Sequence, residues 1–422
     1  MTEAEDNSNP QVEPDALWSI LFASWLLAAG GTLGSRYFSE VMQRVFLFPL
    51  AIILLIGLFP FDARVRSHNL RGIVYLLAAC VFCVSCATDG APSKDAGYEP
   101  ARTAWGTPDI GGVWDFGVLT PLERPAELAD KPVLTPEEAR AFRDGKLEEL
   151  YVDAYADESQ LGLNSYDTFW YDWGTQLDEE LRTSLIVDPA DGRLPELTSA
   201  ARAQHEEQLR IRTPPVRDQI VHGNDNPPGP EWMGTSDRCL AGFNAGPPLM
   251  SASYNNILRI VQTPDYVVLV TEMIHEARII PMDGRPHLPS ELRRWQGDSR
   301  ARWEGDSLVI DTINFTDKKS TFLIPSGPLV TKSTQEARPN APRGHVGSAK
   351  NLHLTERLTP VAEGRLRYEY TIDDALTFVR PFTVQFTMRS ADGPMFEYAC
   401  HEGNYALPNT LKGARFLESQ TD

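Results

Sequence analysis

Residues 263–315 read TPDYVVLVTEMIHEARIIPMDGRPHLPSELRRWQGDSRARWEGDSLVIDTINF, and this stretch decides the fold class. Tyr266 to Ile280 is apolar and β-branched, reads as one long extended strand, and ends at the Asp283-Gly284 pair. Arg302 to Glu304, the Gly305-Asp306 turn and Leu308 to Phe315 form a hairpin signal. Read with period two, Val267, Leu269, Thr271, Met273, His275, Ala277 and Ile279 share one face. Glu272, Glu276 and Arg278 share the other with Val268, Val270, Ile274 and Ile280. Neither face is wholly polar, as expected of a barrel strand whose interior turns polar toward one end.

Partners for these strands lie downstream. Leu352 to Leu358, Arg365 to Ile372, Phe382 to Met388 and Met395 to Cys400 all read as strands. Leu366, Tyr368, Tyr370 and Ile372 fall on one face, and Phe382, Val384, Phe386 and Met388 on another. Alternation of this kind predicts antiparallel strands with a one-sided core. The chain is therefore mainly β. A closed barrel removes exposed edges, and a β-sandwich is the rival arrangement.

The half before the β core, residues 104–219, is mixed. Ile110, Val113, Trp114 and Phe116 suggest a first short strand, and Arg182 to Val187 another. Thr135-Pro136-Glu137-Glu138 is a capping-box start for a helix running to about Ala156, and Thr198 to Arg212 reads as a second helix. Between them stands NSYDTFWYDWGT, with Tyr166 and Trp170, either a core wedge or lid or a stacking wall for an organic ligand. Residues 213–262 read largely as a proline-rich loop. The β-rich core then spans 220–415, as one unit with 104–219.

Residues 1–86 read as a membrane leader and 87–103 as a linker. Arg64, Arg66 and Arg71 precede the apolar run GIVYLLAACVFCV and then Ser85-Cys86, a lipoprotein-like order with Cys86 as the lipidated residue. A three-span anchor and a simple cleaved signal are the competing readings, and a start site near Val65 or Leu70 is the alternative to the anchor. All place the rest of the chain in the bacterial cell envelope, periplasmic or associated with the outer membrane.

The 422 residues carry a formal net charge of -19, which argues against a nucleic-acid partner. Beyond the leader the cysteines are Cys239 and Cys400. In an oxidising compartment they are an obvious disulfide pair, and two buried thiols are the alternative. A loop of this length limits the stabilisation from such a bond to about 4–5 kcal/mol. Bonding would bring Asp237 and Arg238 close to His401 and Glu402.

The pieces WGTPDIGGVWDFGVLTPLERP, FWYDWGT, RTSLIVDPADGRLP, SDRCLAGFNAGPP, RWEGDSLVIDTINF and YEYACHEGNY, with the opening stretch, resemble a family of uncharacterised secreted bacterial proteins over roughly residues 103–415. The resemblance implies one contiguous extracytoplasmic unit and brings no activity. Gly-x-Trp at the first strand also resembles the opening of lipocalin-type (calycin) barrels.

No nucleotide-binding glycine loop, G-x-S-x-G elbow, His-Glu-x-x-His or haem motif occurs, so no cofactor is implied and the spacing asks for no metal. The leading expectation is a binding protein for a small hydrophobic or amphipathic ligand. Arg238, Arg278, Tyr166, Trp170, Tyr368 and Phe386 are its candidate contacts. The alternative is an acid–base enzyme (hydrolase, isomerase or lyase). It would use His401 or His275 with Glu276, Glu402 or Asp237, because a histidine beside a carboxylate is a workable general base. The third expectation is a structural or protein-binding envelope component.

Overall fold

The computed structural model describes residues 98–156, 172–212, 229–230, 233, 235–324 and 344–420. The sheet begins at one end with the hairpin of β6 (Asp298–Glu304) and β7 (Ser307–Ile313), turned at Gly305, whose φ of 60° suits a residue without Cβ. From there the sheet runs through β10 (His353–Ala362), β11 (Arg365–Asp373) and β12 (Phe382–Ser390). It continues through β1 (Gly112–Asp115), β3 (Ile257–Gln262), β4 (Tyr266–Thr271) and β5 (Ala277–Pro281). The short β2 (Ile186–Asp188) pairs with β12 on the side. All these ladders are antiparallel. The result is a nearly closed, barrel-shaped sheet, with a separate pair of β8 (Phe322–Ile324) and β9 (Gly344–Val346).

The ends of the sheet, β5 and β6, approach each other, and Arg278 of β5 donates to Ser299 Oγ of β6 at 3.0 Å. The alternation in β11 and β12 is as read: Leu366, Tyr368, Tyr370, Ile372, Phe382, Val384, Phe386 and Met388 are all buried. Helix α1 (Pro136–Ala156) opens on the capping box, with Thr135 N–H donating to Glu138 Oε2 at 2.9 Å and Glu138 N–H to Thr135 Oγ1 at 3.3 Å. Helix α2 (Ser199–Arg212) is capped by Thr198 Oγ1, which accepts from Ala201 N–H. Among the described residues, no helix is long and apolar enough to cross a membrane.

Three strand readings are corrected. The run from Tyr266 to Ile280 is two strands: a turn at Met273–His275, with Ile274 at φ 59°, folds β5 back onto β4. Doubling back changes the parity. Val267 pairs with Ile280 and Leu269 with Arg278, so these four share the inner face that a single strand would have split. Second, β3 emerges from the stretch read as loop. Third, Met395 to Cys400 forms no strand; Cys400 opens the short helix α3 (Cys400–Gly403), followed by α4 (Ala406–Glu418).

Inside the barrel lies a polar knot. Arg278 faces Glu356 of β10 through Nη1–Oε1 at 3.1 Å and Nη2–Oε2 at 2.6 Å, with Glu356 fully buried. The Tyr368 hydroxyl donates to Glu356 Oε1 at 2.6 Å and accepts from Leu249 N–H at 3.0 Å. Arg278 Nη2 also reaches Thr312 Oγ1 at 3.3 Å. Burial opposes the guanidinium charge, but the Glu356 carboxylate more than offsets it and holds Arg278 above its ordinary range. Burial and the same carboxylate push the Tyr368 hydroxyl far up, so it stays a donor. Removing one partner strands the other charge without water. Glu356→Gln is expected to cost roughly 3–5 kcal/mol in denaturant unfolding, whereas replacing both partners by apolar residues (Arg278→Met with Glu356→Leu) is expected to be close to neutral.

Candidate functional site

The segment 235–250 crosses one end of the barrel and is fastened at three points. Cys239 is bonded to Cys400 with Cα atoms 5.8 Å apart, within the usual disulfide range. Buried Asn244 donates through Nδ2 to the carbonyls of Tyr254 and Asn255 and to Asn256 Oδ1, at 3.0–3.2 Å. Leu249 hangs from the Tyr368 hydroxyl. Gly242 is required by closeness, because a Cβ there would run into Met273.

Facing this segment are residues 317–322 and 345–348, tied to each other by Ala349 N–H to Lys319 O at 2.9 Å and by Ser320 Oγ with His345 Nδ1 at 2.9 Å. Between the two walls is a cavity of about 620 Å³. Its apolar lining includes Phe243, Pro247, Met250 and Phe322, and its charged lining includes Asp237, Arg238, Asp317, Lys318 and Lys319. Arg238 is half-buried, and its withdrawn Nε meets no hydrogen-bond partner among the described residues. Lys319 bridges the walls, with Nζ donating to Pro247 O at 3.1 Å and lying 5.4 Å from the centroid of the Phe315 ring. Burial, and then the charge of Arg278, lower its ammonium to about 8.

The expected site residues divide. Asp237 and Arg238 line this cavity. His401 and Glu402 are exposed on α3 and line neither it nor the second cavity, so the disulfide brings the backbones together without forming one acid–base pocket. Tyr368 and Phe386 were expected on a cavity wall. They are 0% and 1% exposed inside a filled core, because Tyr370, Phe382 and other large side chains occupy the barrel axis. Arg278 is a structural partner of Glu356. With Glu276 it borders the second cavity, of about 540 Å³, at the β5–β6 seam. Among the described residues, no group of three or more His, Cys, Asp and Glu side chains is placed to hold a metal ion. Tyr166, Trp170, Cys86 and the side chain of His275 lie outside the described residues.

One grouping escaped sequence reasoning. His287 Nδ1 meets Asp298 Oδ2 at 3.0 Å and its Nε2 meets Asp311 Oδ1 at 2.8 Å, while His353 Nε2 takes the other Asp311 oxygen. Burial pushes both carboxyls up. The Leu288 amide, His287 and Arg300 outweigh it at Asp298, as do the two histidines at Asp311, so both end below the ordinary range. The residues are diagonal neighbours, since Asp298 stands opposite Ile313 while Asp311 stands opposite Arg300 on β6 and Thr355 on β10, so the strand pattern held little advance signal.

No protein-family model matches the chain, and no solved structure matches it. Short stretches are similar to two curated proteins. The probable disulfide formation protein of Deinococcus radiodurans is 43% identical over 60 residues, 12% of this chain and 39% of that protein. The disulfide bond formation protein C of Bacillus subtilis is 40% identical over 60 residues, 12% of this chain and 44% of that protein. The chain thus spans less than half the length of either relative.

The bond from Cys239 closes a span of 161 residues. Replacing both cysteines by serine is expected to cost at most about 5 kcal/mol. In hydrogen exchange, amides of 236–250 should lose protection while β10, β11 and β12 keep theirs; equal loosening throughout would show that the bond does not act locally.

Proposed function

We propose that this protein is an extracytoplasmic, membrane-tethered binding protein that holds a small amphipathic organic acid in the cavity at the end of its barrel. The observation that carries the reading is the division of the cavity wall. Phe243, Met250 and Phe322 offer an apolar body site, and the half-buried Arg238 brings a guanidinium to the same lining. A cavity of about 620 Å³ falls in the range of small-molecule sites, and its mixed lining is what an acid with a hydrocarbon or aromatic body requires. Arginine suits the acid end because its planar fork matches a carboxylate.

The location rests on separate grounds. A disulfide in the barrel unit fits an oxidising compartment, and the run ending at Ser85-Cys86 supplies the lipoprotein-like tether. The acid–base alternative has less support, since exposed His401 borders neither cavity. The third reading, a protein-binding envelope component, is favoured by Phe396, Tyr405 and Phe416, which are 69%, 72% and 64% exposed near the C-terminus.

Titration calorimetry with medium-chain fatty acids and aryl carboxylates tests the proposal. Arg238→Met is expected to weaken the best of these ligands about tenfold or more, the loss of one charged hydrogen-bonding partner. The corresponding primary alcohol should bind weakly to both forms. Equal affinity of the acid for wild type and Arg238→Met would remove the cavity from the account.

A further inference from the structure

The organic-acid reading gives Lys319, on the cavity wall, no task. Lys319 Nζ donates to the carbonyl of Pro247 and lies near the Phe315 ring, and burial with the charge of Arg278 outweighs the opposing charges of Glu356 and Glu276. Lys131 pairs with Glu138, and Lys318, next to Lys319, is exposed. An ammonium turned inward beside a cationic neighbour is the environment in which a lysine becomes an amine nucleophile.

We propose that Lys319 condenses with the carbonyl carbon of an aldehyde- or keto-acid held in the cavity, its carboxylate on Arg238. This rests on the organic-acid reading and narrows the ligand class. In the step, the amine lone pair forms the N–C bond while the C=O π pair moves to oxygen, which takes up a proton. The carbinolamine then expels that oxygen as water, and the nitrogen gives up its remaining proton as the C=N bond forms. One water is released overall, and no oxidant or reductant is consumed. The lowered basicity of Lys319 supports the step: near pH 8 about half of these side chains carry a free lone pair, against under about one per cent for an ordinary lysine. The two walls keep the amine in place, since Lys319 O is bonded to Ala349 N–H while Nζ reaches across to Pro247.

The test is reductive trapping on the full chain. The protein is incubated at pH 8 with 4-carboxybenzaldehyde and cyanoborohydride, and the adducts are mapped by peptide mass analysis. Lys319 is expected to be modified at least tenfold faster than Lys318 at pH 8, and its own rate should fall about fiftyfold at pH 6 while its lead over Lys318 is kept. Lys319→Arg, which keeps the charge, should abolish the fast phase and leave slow labelling elsewhere unchanged. Labelling of Lys319 no faster than Lys318 overturns the proposal. Binding of a non-carbonyl aryl carboxylate, measured in parallel on wild type, separates the two failures: if it persists, only the condensation is lost, and the organic-acid reading stands.

Discussion

A single buried ion pair, Arg278 with Glu356, sets the terms for the rest of the molecule. Its two charges lie on strands that are far apart in the sheet order, β5 and β10, and meet across the barrel interior. Side bonds from Arg278 to Ser299 and Thr312 draw in β6 and β7, so the knot holds together the two ends of the sheet where no backbone ladder does. Withdrawing two charges from water is costly, and bidentate geometry with Tyr368 as a further donor offsets much of that cost. The pair contributes less as net stability than as a choice of register: one slip along β5 would put Arg278 outside and Ala277 or Ile279 inside.

The same knot reaches the cavity. The Tyr368 hydroxyl carries Leu249, the last anchor of the segment that forms one cavity wall, and Lys319 on the other wall senses the charge of Arg278. The barrel interior is filled, and the end cavity lies where this segment stands away from residues 317–322 and 345–348. Disulfide, asparagine clamp and tyrosine hydroxyl fix one wall, while the β8–β9 pair and the bond from Ala349 to Lys319 fix the other. A pocket fastened on both sides suits binding without large rearrangement.

Much of the barrel was legible because period two is a strong signal where one face is apolar, as in β11 and β12. The capping box of α1 and the pairing of Cys239 with Cys400 were legible for similarly local reasons: a fixed four-residue spacing, and two cysteines beyond the leader. The fold-back after β4 was not. It is made at Ile274, a β-branched residue in a left-handed conformation, with no glycine or proline to mark it. That one turn inverted the expected faces and hid the inward aim of Arg278. Lys319 and His287 were missed for another reason. Each sits in irregular or strand-flanking chain, and each finds its neighbours through tertiary contacts: Lys319 with Pro247, and His287 with Asp298 and Asp311.

The central claim is that the end cavity, and not the barrel interior or the β5–β6 seam, is where an organic acid binds. Backbone amide NMR of the isotope-labelled barrel unit, titrated with a medium-chain carboxylate, tests it most directly. The account predicts saturable shifts concentrated in 235–250, 317–322 and 345–348, with β11 and β12 nearly silent. Saturable shifts centred on 276–300 at the seam, or none at millimolar ligand, would contradict it.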